Sequence, residues 1–268
     1  MHNFQEIKGQ SVNNWLITSG CSFSDNVSNR WPHFLADELE SNLVNYGYGS
    51  SGNDYICHSA IFAINNLLIK KVKEDNIKVV VMWSGIDRHG HFVSRNETPD
   101  FDTLINPGHI NPVNFLHMSE EFPDSGRFIP SSRKIEAGWL LGSPNCKWEN
   151  NNIQKYKELH CKNFYTYEGL LFSSLNYFLQ LQWFCENRGI SLTNLTFREI
   201  FPDINKFQTA KHLYEMIDFT KWIFWNKTKG LYEYTKDNDL AFYDDNIHPS
   251  PESHKNYVEN FLIKNVGV

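Results

Sequence analysis

Two short stretches at opposite ends of the chain hold residue types able to do nucleophilic chemistry. The first, LITSGCSFSD (Leu16 to Asp25), is an apolar run that breaks at Gly20 and then delivers Cys21, Ser22 and Ser24. A serine hydroxyl is a poor nucleophile until a base takes its proton and a nearby site stabilises the oxyanion that its attack creates. The second stretch, YDDNIHPSPESHKNY (Tyr243 to Tyr257), sets Asp245 three residues before His248 in a segment stiffened by Pro249 and Pro251. Such a turn lets a carboxylate hold one imidazole nitrogen and leaves the other free, which is what an orienting acid and a general base require. Asp244 reads as a solvated neighbour of Asp245, and His254 as an ordinary polar residue of the last helix.

The elements that must position these groups follow a repeated plan. Asn14 to Gly20 (NWLITSG) reads as a strand, and RWPHFLADELE (Arg30 to Glu40) as a helix with Pro32 near its start and Phe34, Leu35 and Leu39 at helical spacing. Ser41 to Asp54 (SNLVNYGYGSSGND) repeats it: a short strand ends in a glycine-rich turn, and Asn53 or Asp54 caps a helix whose apolar face includes Ile56, Ala60, Ala63, Ile64, Leu67 and Leu68. Lys78 to Gly85 (KVVVMWSG) is a continuous apolar run of the kind buried on both faces of a sheet. Strands alternating with helices predict an α/β fold: a three-layer α/β/α sandwich with a mainly parallel, flavodoxin-like sheet. Ligands of such sheets sit beyond the carboxyl ends of the strands, where Gly20 to Asp25, Gly47 to Asp54 and Ser84 to Asp87 converge.

One domain over residues 1–268 is expected, with an irregular insertion at about 95–165 where prolines break the pattern. Loops of that length usually serve a site, so the insertion is either a substrate cap or a peripheral ornament. Trp139 and Trp148 are its candidates for stacking on a sugar. Regular structure resumes with a helix over Gly169 to Asn187, a strand over Ser191 to Phe197, a helical region from His212 to Trp225 and a last helix from Pro251 to Lys264.

Charge narrows the partners. With 25 Lys and Arg against 31 Asp and Glu, a net of -6, the chain has no basic field for nucleic acid or an anionic membrane. Neither a signal peptide nor a membrane-spanning run is visible, which points to a cytoplasmic protein. Five cysteines without a C-x-x-C pair suggest reduced thiols rather than a disulfide framework or a zinc knuckle.

Taken in order, the stretches resemble the SGNH or GDSL hydrolase superfamily, in a GCSF-type variant. The resemblance lies in G-C-S after the first strand, N-Y-G-Y-G-S-S-G after the second, S-G-I-D after the third and D-N-I-H-P before the last helix. It implies a serine esterase without a cofactor, with Ser22 as nucleophile, Asp245 and His248 as acid and base, and an oxyanion hole made by the N–H of Ser22 and one near Gly49 or Ser50. The implied substrate is a small acyl ester, a carbohydrate ester among the candidates, and an acyltransferase would use the same triad. Two positions depart from the family pattern. Cys21 stands where an aspartate is common, and Ile86 stands where the third block commonly supplies an asparagine amide to the oxyanion. Turnover should therefore be slow unless Ser84, Asn53 or another donor substitutes, and Ile86→Asn should raise it. Asn53, Asp87 and Arg88 are the candidates for substrate binding, Arg88 toward a carboxylate or phosphate.

Rival readings use other residues. Asp25, Asp87, His89, His91 and His248 would suit a metal-dependent phosphoesterase, although their spacing matches no metal motif. The loss of the asparagine at Ile86 would suit a degenerate esterase fold kept for binding. Ser24 reads as a turn hydroxyl and Cys21 as a small buried residue, because adjacent side chains of an extended segment point opposite ways.

Overall fold

The computed structural model describes residues 14–25, 29–94, 137–142 and 151–266. Its centre is a four-stranded, all-parallel sheet of β1 (Trp15–Gly20), β2 (Asn42–Asn45), β3 (Ile77–Trp83) and a later strand, Ser191–Thr196, in the order β2, β1, β3, Ser191–Thr196. The apolar run in β3 is the spine: Val79 through Trp83 are all fully buried, and both neighbours pair with it in parallel register. Full burial of such side chains is worth about 1.5–3 kcal/mol each, which explains why this strand tolerates a polar residue only at Lys78.

Helix α1 (Trp31–Glu38) packs on β2, and α2 (Asn53–Ile69) on β1 and β3. After β3 a two-stranded antiparallel ribbon pairs β4 (His89–Ser94) with β5 (Ala137–Gly142). Then come α3 (Asn151–Phe164), α4 (Tyr167–Arg188), β6 (Ser191–Thr196), α5 (Gln208–Tyr214), α6 (Leu231–Asp237) and α7 (Pro251–Tyr257), the last running on into a π-helical turn at Val258–Leu262. Helix α4 packs against α2, and α7 against α1, so helices cover the sheet as the α/β/α layering requires.

Three expectations change. The segment expected to be irregular at 95–165 contains β5 and α3 among its described residues; α3 is polar overall and so lacks the apolar content by which the other helices are recognised. The helical region expected from His212 to Trp225 is helical only as far as Tyr214. Beyond it the apolar residues at Phe219, Trp222 and Phe224 stack with Phe201 as an aromatic cluster on turns, so their spacing served packing rather than a helix. Neither Asn53 nor Asp54 is the N-cap of α2, since Gly52 takes that position. Trp148 and the side chains of Trp139, His89 and His91 lie outside the described ones.

Strand order reverses direction of growth at β1, with β2 on one side and β3 on the other, so a crevice opens beyond the carboxyl ends of β1 and β3. Gly20 ends one strand and Trp83 the other.

Candidate active site

The turn after β1 is a single 3-10 turn, Ser22–Ser24, closed by the Ser24 N–H donating to the Cys21 carbonyl at 2.8 Å. It turns Cys21 and Ser24 into the core, both fully buried, and leaves Ser22 partly exposed. The Ser24 hydroxyl accepts from the buried Trp31 indole N–H at 2.9 Å, which ties the turn to the start of α1. Two glycines admit it. A Cβ on Gly20 would fall 2.2 Å from the Ser24 Oγ, and one on Gly47 would fall 1.9 Å from the Ser24 carbonyl oxygen. Gly20 is thus required by the tightness of its own turn, and Gly47 by the close approach of the second turn to the first.

Asn45, at the end of β2, fixes that approach. Its amide donates to the Ser24 carbonyl at 2.9 Å while its Oδ1 accepts from the Gly47 N–H at 2.8 Å. Tyr48 N–H then donates to Gly20 O at 2.9 Å, and both the backbone N–H and the hydroxyl of Ser51 close back on Tyr48 O. Between them Ser50 sits at φ +67°, a left-handed conformation that costs a non-glycine residue about 1–2 kcal/mol. Among the described residues, the N–H groups of Ser22, Gly49 and Ser50 donate to no backbone acceptor. Donors left unused at a strained turn beside a serine are what an oxyanion hole requires.

Asp245 organises the other half. Its Oδ1 accepts from the N–H of Ile247 at 2.8 Å and of His248 at 2.9 Å, around Asn246 at φ +53°. The His248 backbone and imidazole hydrogen bonds together hold the Asp245 carboxyl down at about 2, so it is ionised and only accepts. The Nδ1–H of His248 therefore donates to Asp245 Oδ2 at 2.5 Å, and the Ser22 hydroxyl donates to His248 Nε2 at 2.8 Å. Ser22, His248 and Asp245 form one continuous chain of hydrogen bonds. Phe23 packs on the His248 ring with centroids 5.2 Å apart and limits its rotation.

The remaining candidates are placed differently. Asn53 is buried: its amide donates to Ser84 O and to Ser174 Oγ, and its Oδ1 accepts the Ser84 N–H at 2.9 Å. It fastens α2 to the turn after β3, and its hydrogen-bonding capacity is spent there, so it is a tether rather than a substrate contact. Ser84 is fully buried; its N–H is given to Asn53, and its hydroxyl has no hydrogen-bond partner among the described residues. Ile86 is 8% exposed and belongs to the apolar core, and it offers no amide. Asp87 and Arg88 stay partly exposed at this edge, with the Asp87 carbonyl accepting from the Tyr165 hydroxyl.

Among the described residues, no group of three or more His, Cys, Asp or Glu side chains is placed to hold a metal ion, and both His248 nitrogens are engaged by the triad. No helix among them is long and apolar enough to cross a membrane.

Several residues that build the site carry no signal in the sequence. Arg30, just before α1, donates from Nη1 to the Pro249 carbonyl at 3.3 Å, lies 5.1 Å from the Tyr243 ring centroid, and so clamps the loop that carries His248. Arg198 and Phe197, beyond β6, reach the same edge from a strand that has no motif. His254, read from the sequence as an ordinary polar residue of the last helix, is fully buried and serves as an acceptor for Arg30. Scanned against protein-family models and against curated proteins, the chain matches none.

Proposed function

We propose that the chain is a serine hydrolase acting on ester bonds. The observation that carries this reading is the unbroken Ser22–His248–Asp245 hydrogen-bond chain standing beside a turn with unused backbone donors. In the proposed reaction His248 Nε2 takes the Ser22 proton as Oγ bonds to the ester carbonyl carbon. The carbonyl oxygen becomes an oxyanion held by the N–H groups of Ser22 and of Gly49 or Ser50. The alcohol then departs with the proton from His248, leaving an acyl-serine. Water gives a proton to His248, attacks the acyl carbon, and frees the acid as Ser22 recovers its proton. Asp245 stabilises the imidazolium throughout and keeps Nε2 aimed at Ser22.

Without a side-chain amide at Ile86, charge stabilisation falls on the backbone, and one missing donor of this kind costs about 10²- to 10³-fold in rate. The proposed substrate is a small acyl ester, and the free thiols of Cys21, Cys57, Cys161 and Cys185 suit work in a reducing, cytoplasmic setting. A fluorophosphonate tests the reading: it should modify Ser22 alone, located by mass spectrometry, with no labelling of the Ser22→Ala protein and no protection by a chelator. Modification elsewhere, or ester turnover that a chelator abolishes, would overturn it.

A further inference from the structure

We infer that Arg88 and Arg198 form a subsite for an anionic group of the substrate, a carboxylate or a phosphate, beside the Ser22–His248 pair. The inference rests on the esterase reading and names its substrate class. The two arginines follow the neighbouring strands β3 and β6, whose ends are joined by the Phe197 N–H donating to the Trp83 carbonyl. Both guanidinium groups lie on one ring: Arg88 Cζ is 5.6 Å and Arg198 Cζ 5.0 Å from the centroid of Phe197. Phe197 in turn packs edge-on to Phe23, 5.1 Å away, and Phe23 touches the His248 ring. The arginines therefore stand two aromatic rings from the catalytic base, on the side of the crevice opened by β3.

Resting on a ring restrains a guanidinium while leaving its in-plane N–H fork free to grip a carboxylate or phosphate. That fork is not consumed by the protein. Arg88 Nη1 is buried without a hydrogen-bond partner, and among the described residues no carboxylate forms an ion pair with either arginine. Two acids close to Arg198 along the chain or its neighbouring turn are committed to other tasks. Glu199 accepts from the Thr228 hydroxyl, and Glu233 accepts from the N–H groups of Gly230 and Glu199. The Asp87 carboxylate stands near Arg198 at Gly85, where an added Cβ would lie 2.4 Å from Asp87 Oδ1 and 3.9 Å from Arg198 Nη2, without forming an ion pair with it among the described residues. A buried guanidinium donor without an acceptor is costly, and an oxyanion supplies the missing partner. The chain as a whole carries a net charge of -6, so it does not gather anions by its overall field; two arginines sharing one ring are a local exception.

The test has two arms. In the first, kcat/KM is measured for 4-nitrophenyl hydrogen adipate and for the neutral 4-nitrophenyl hexanoate, and the readout is their ratio, which a general loss of catalysis or folding does not move. Wild type should favour the anionic ester, and Arg88→Gln or Arg198→Gln should lower that ratio about tenfold, with the Lys variants between. In the second, inorganic phosphate is titrated calorimetrically into wild type and into both Gln variants, whose thermal midpoints establish that they are folded. Phosphate should bind wild type and bind each variant about tenfold more weakly. An unchanged ratio, or phosphate that fails to bind wild type or binds the variants equally well, overturns the subsite even if the enzyme hydrolyses esters. Phosphate binding that depends on both arginines in a protein that turns over no ester would uphold the subsite and sink the esterase reading instead.

Discussion

Arg30 Nη1 lies 3.1 Å from His254 Nε2, a link across the fold between the start of α1 and the interior of α7. A guanidinium only donates, so Nε2 must accept, and the imidazole is neutral with its proton on Nδ1. Burial first, then Arg30 and His248, push the His254 pKa well below its ordinary 6.5. Below about pH 6.5 the unfolded chain takes up a proton that the folded chain refuses. Stability contributed here is thus full above that pH and declines as pH falls toward the folded-state value. Urea midpoints measured between pH 8 and pH 5 should fall more for wild type than for His254→Gln, which keeps an acceptor and cannot be protonated. Parallel slopes would contradict this.

Ser24→Ala should leave Ser22 reactive toward a fluorophosphonate but lower stability by about 1–3 kcal/mol, because the buried Trp31 indole N–H loses its acceptor. Thermal unfolding and labelling measured on the same sample separate the two effects. If labelling is lost while the midpoint is unchanged, Ser24 has a chemical role that its burial denies.

Asp245→Asn should lower kcat by about 10⁴-fold, since an amide at this position no longer fixes the His248 tautomer. Because hydrogen bonds from His248 hold the Asp245 carboxyl at about 2, it stays ionised at any pH where the protein is assayed. The acid limb of the wild-type pH–rate profile should accordingly show no step attributable to Asp245 above about pH 4. A kcat within tenfold of wild type for the Asn variant would remove Asp245 from the mechanism.

Gly47→Ala forces a methyl to within 1.9 Å of the Ser24 carbonyl oxygen, a backbone atom that cannot swing away. Overpacking of this kind costs about 1–3 kcal/mol and must part the two turns. Both the thermal midpoint and the rate of Ser22 labelling should drop. Gly49→Ala is the control, because its nearest neighbour, Asp25 Oδ2, would be at an ordinary 3.8 Å.

Ile86→Asn, expected from the sequence alone to raise turnover, should now destabilise instead. The position lies in the apolar core, and a buried amide without partners costs about 1–3 kcal/mol. A variant that folds as well as wild type and hydrolyses a simple ester faster would show that this side chain does face the reacting carbonyl.

The parallel sheet was legible because β1 and β3 are apolar runs bounded by glycines, and burial on both faces demands that composition. The positions of Ser22, Asp245 and His248 were legible because each sits on a short turn whose residues, a glycine before one and prolines after another, constrain the backbone locally. Asn53 was misread because it lies in a motif stretch and is polar. Sequence shows that a side chain can donate but not that a partner across the fold has already taken the bond. Arg30 and Arg198 were invisible for the converse reason. Their roles come from groups distant in the chain, the Pro249 carbonyl for Arg30 and, for Arg198, the Arg88 and Phe23 side chains that share the Phe197 ring, and no local spacing encodes such contacts.

The Ser22 to His248 hydrogen bond joins residues 226 apart. At translation rates of roughly 5–20 residues per second, the nucleophile would leave the ribosome roughly 10–45 s before its base does. On the proposed reading, throughout that interval the growing chain would carry a serine without the base that activates it. On that reading, the same separation would make hydrolysis a stringent reporter of completion: a chain cut short before the His248 turn would keep all four strands of the sheet and lack the base, and one whose α7 has not docked on α1 would leave the base unplaced.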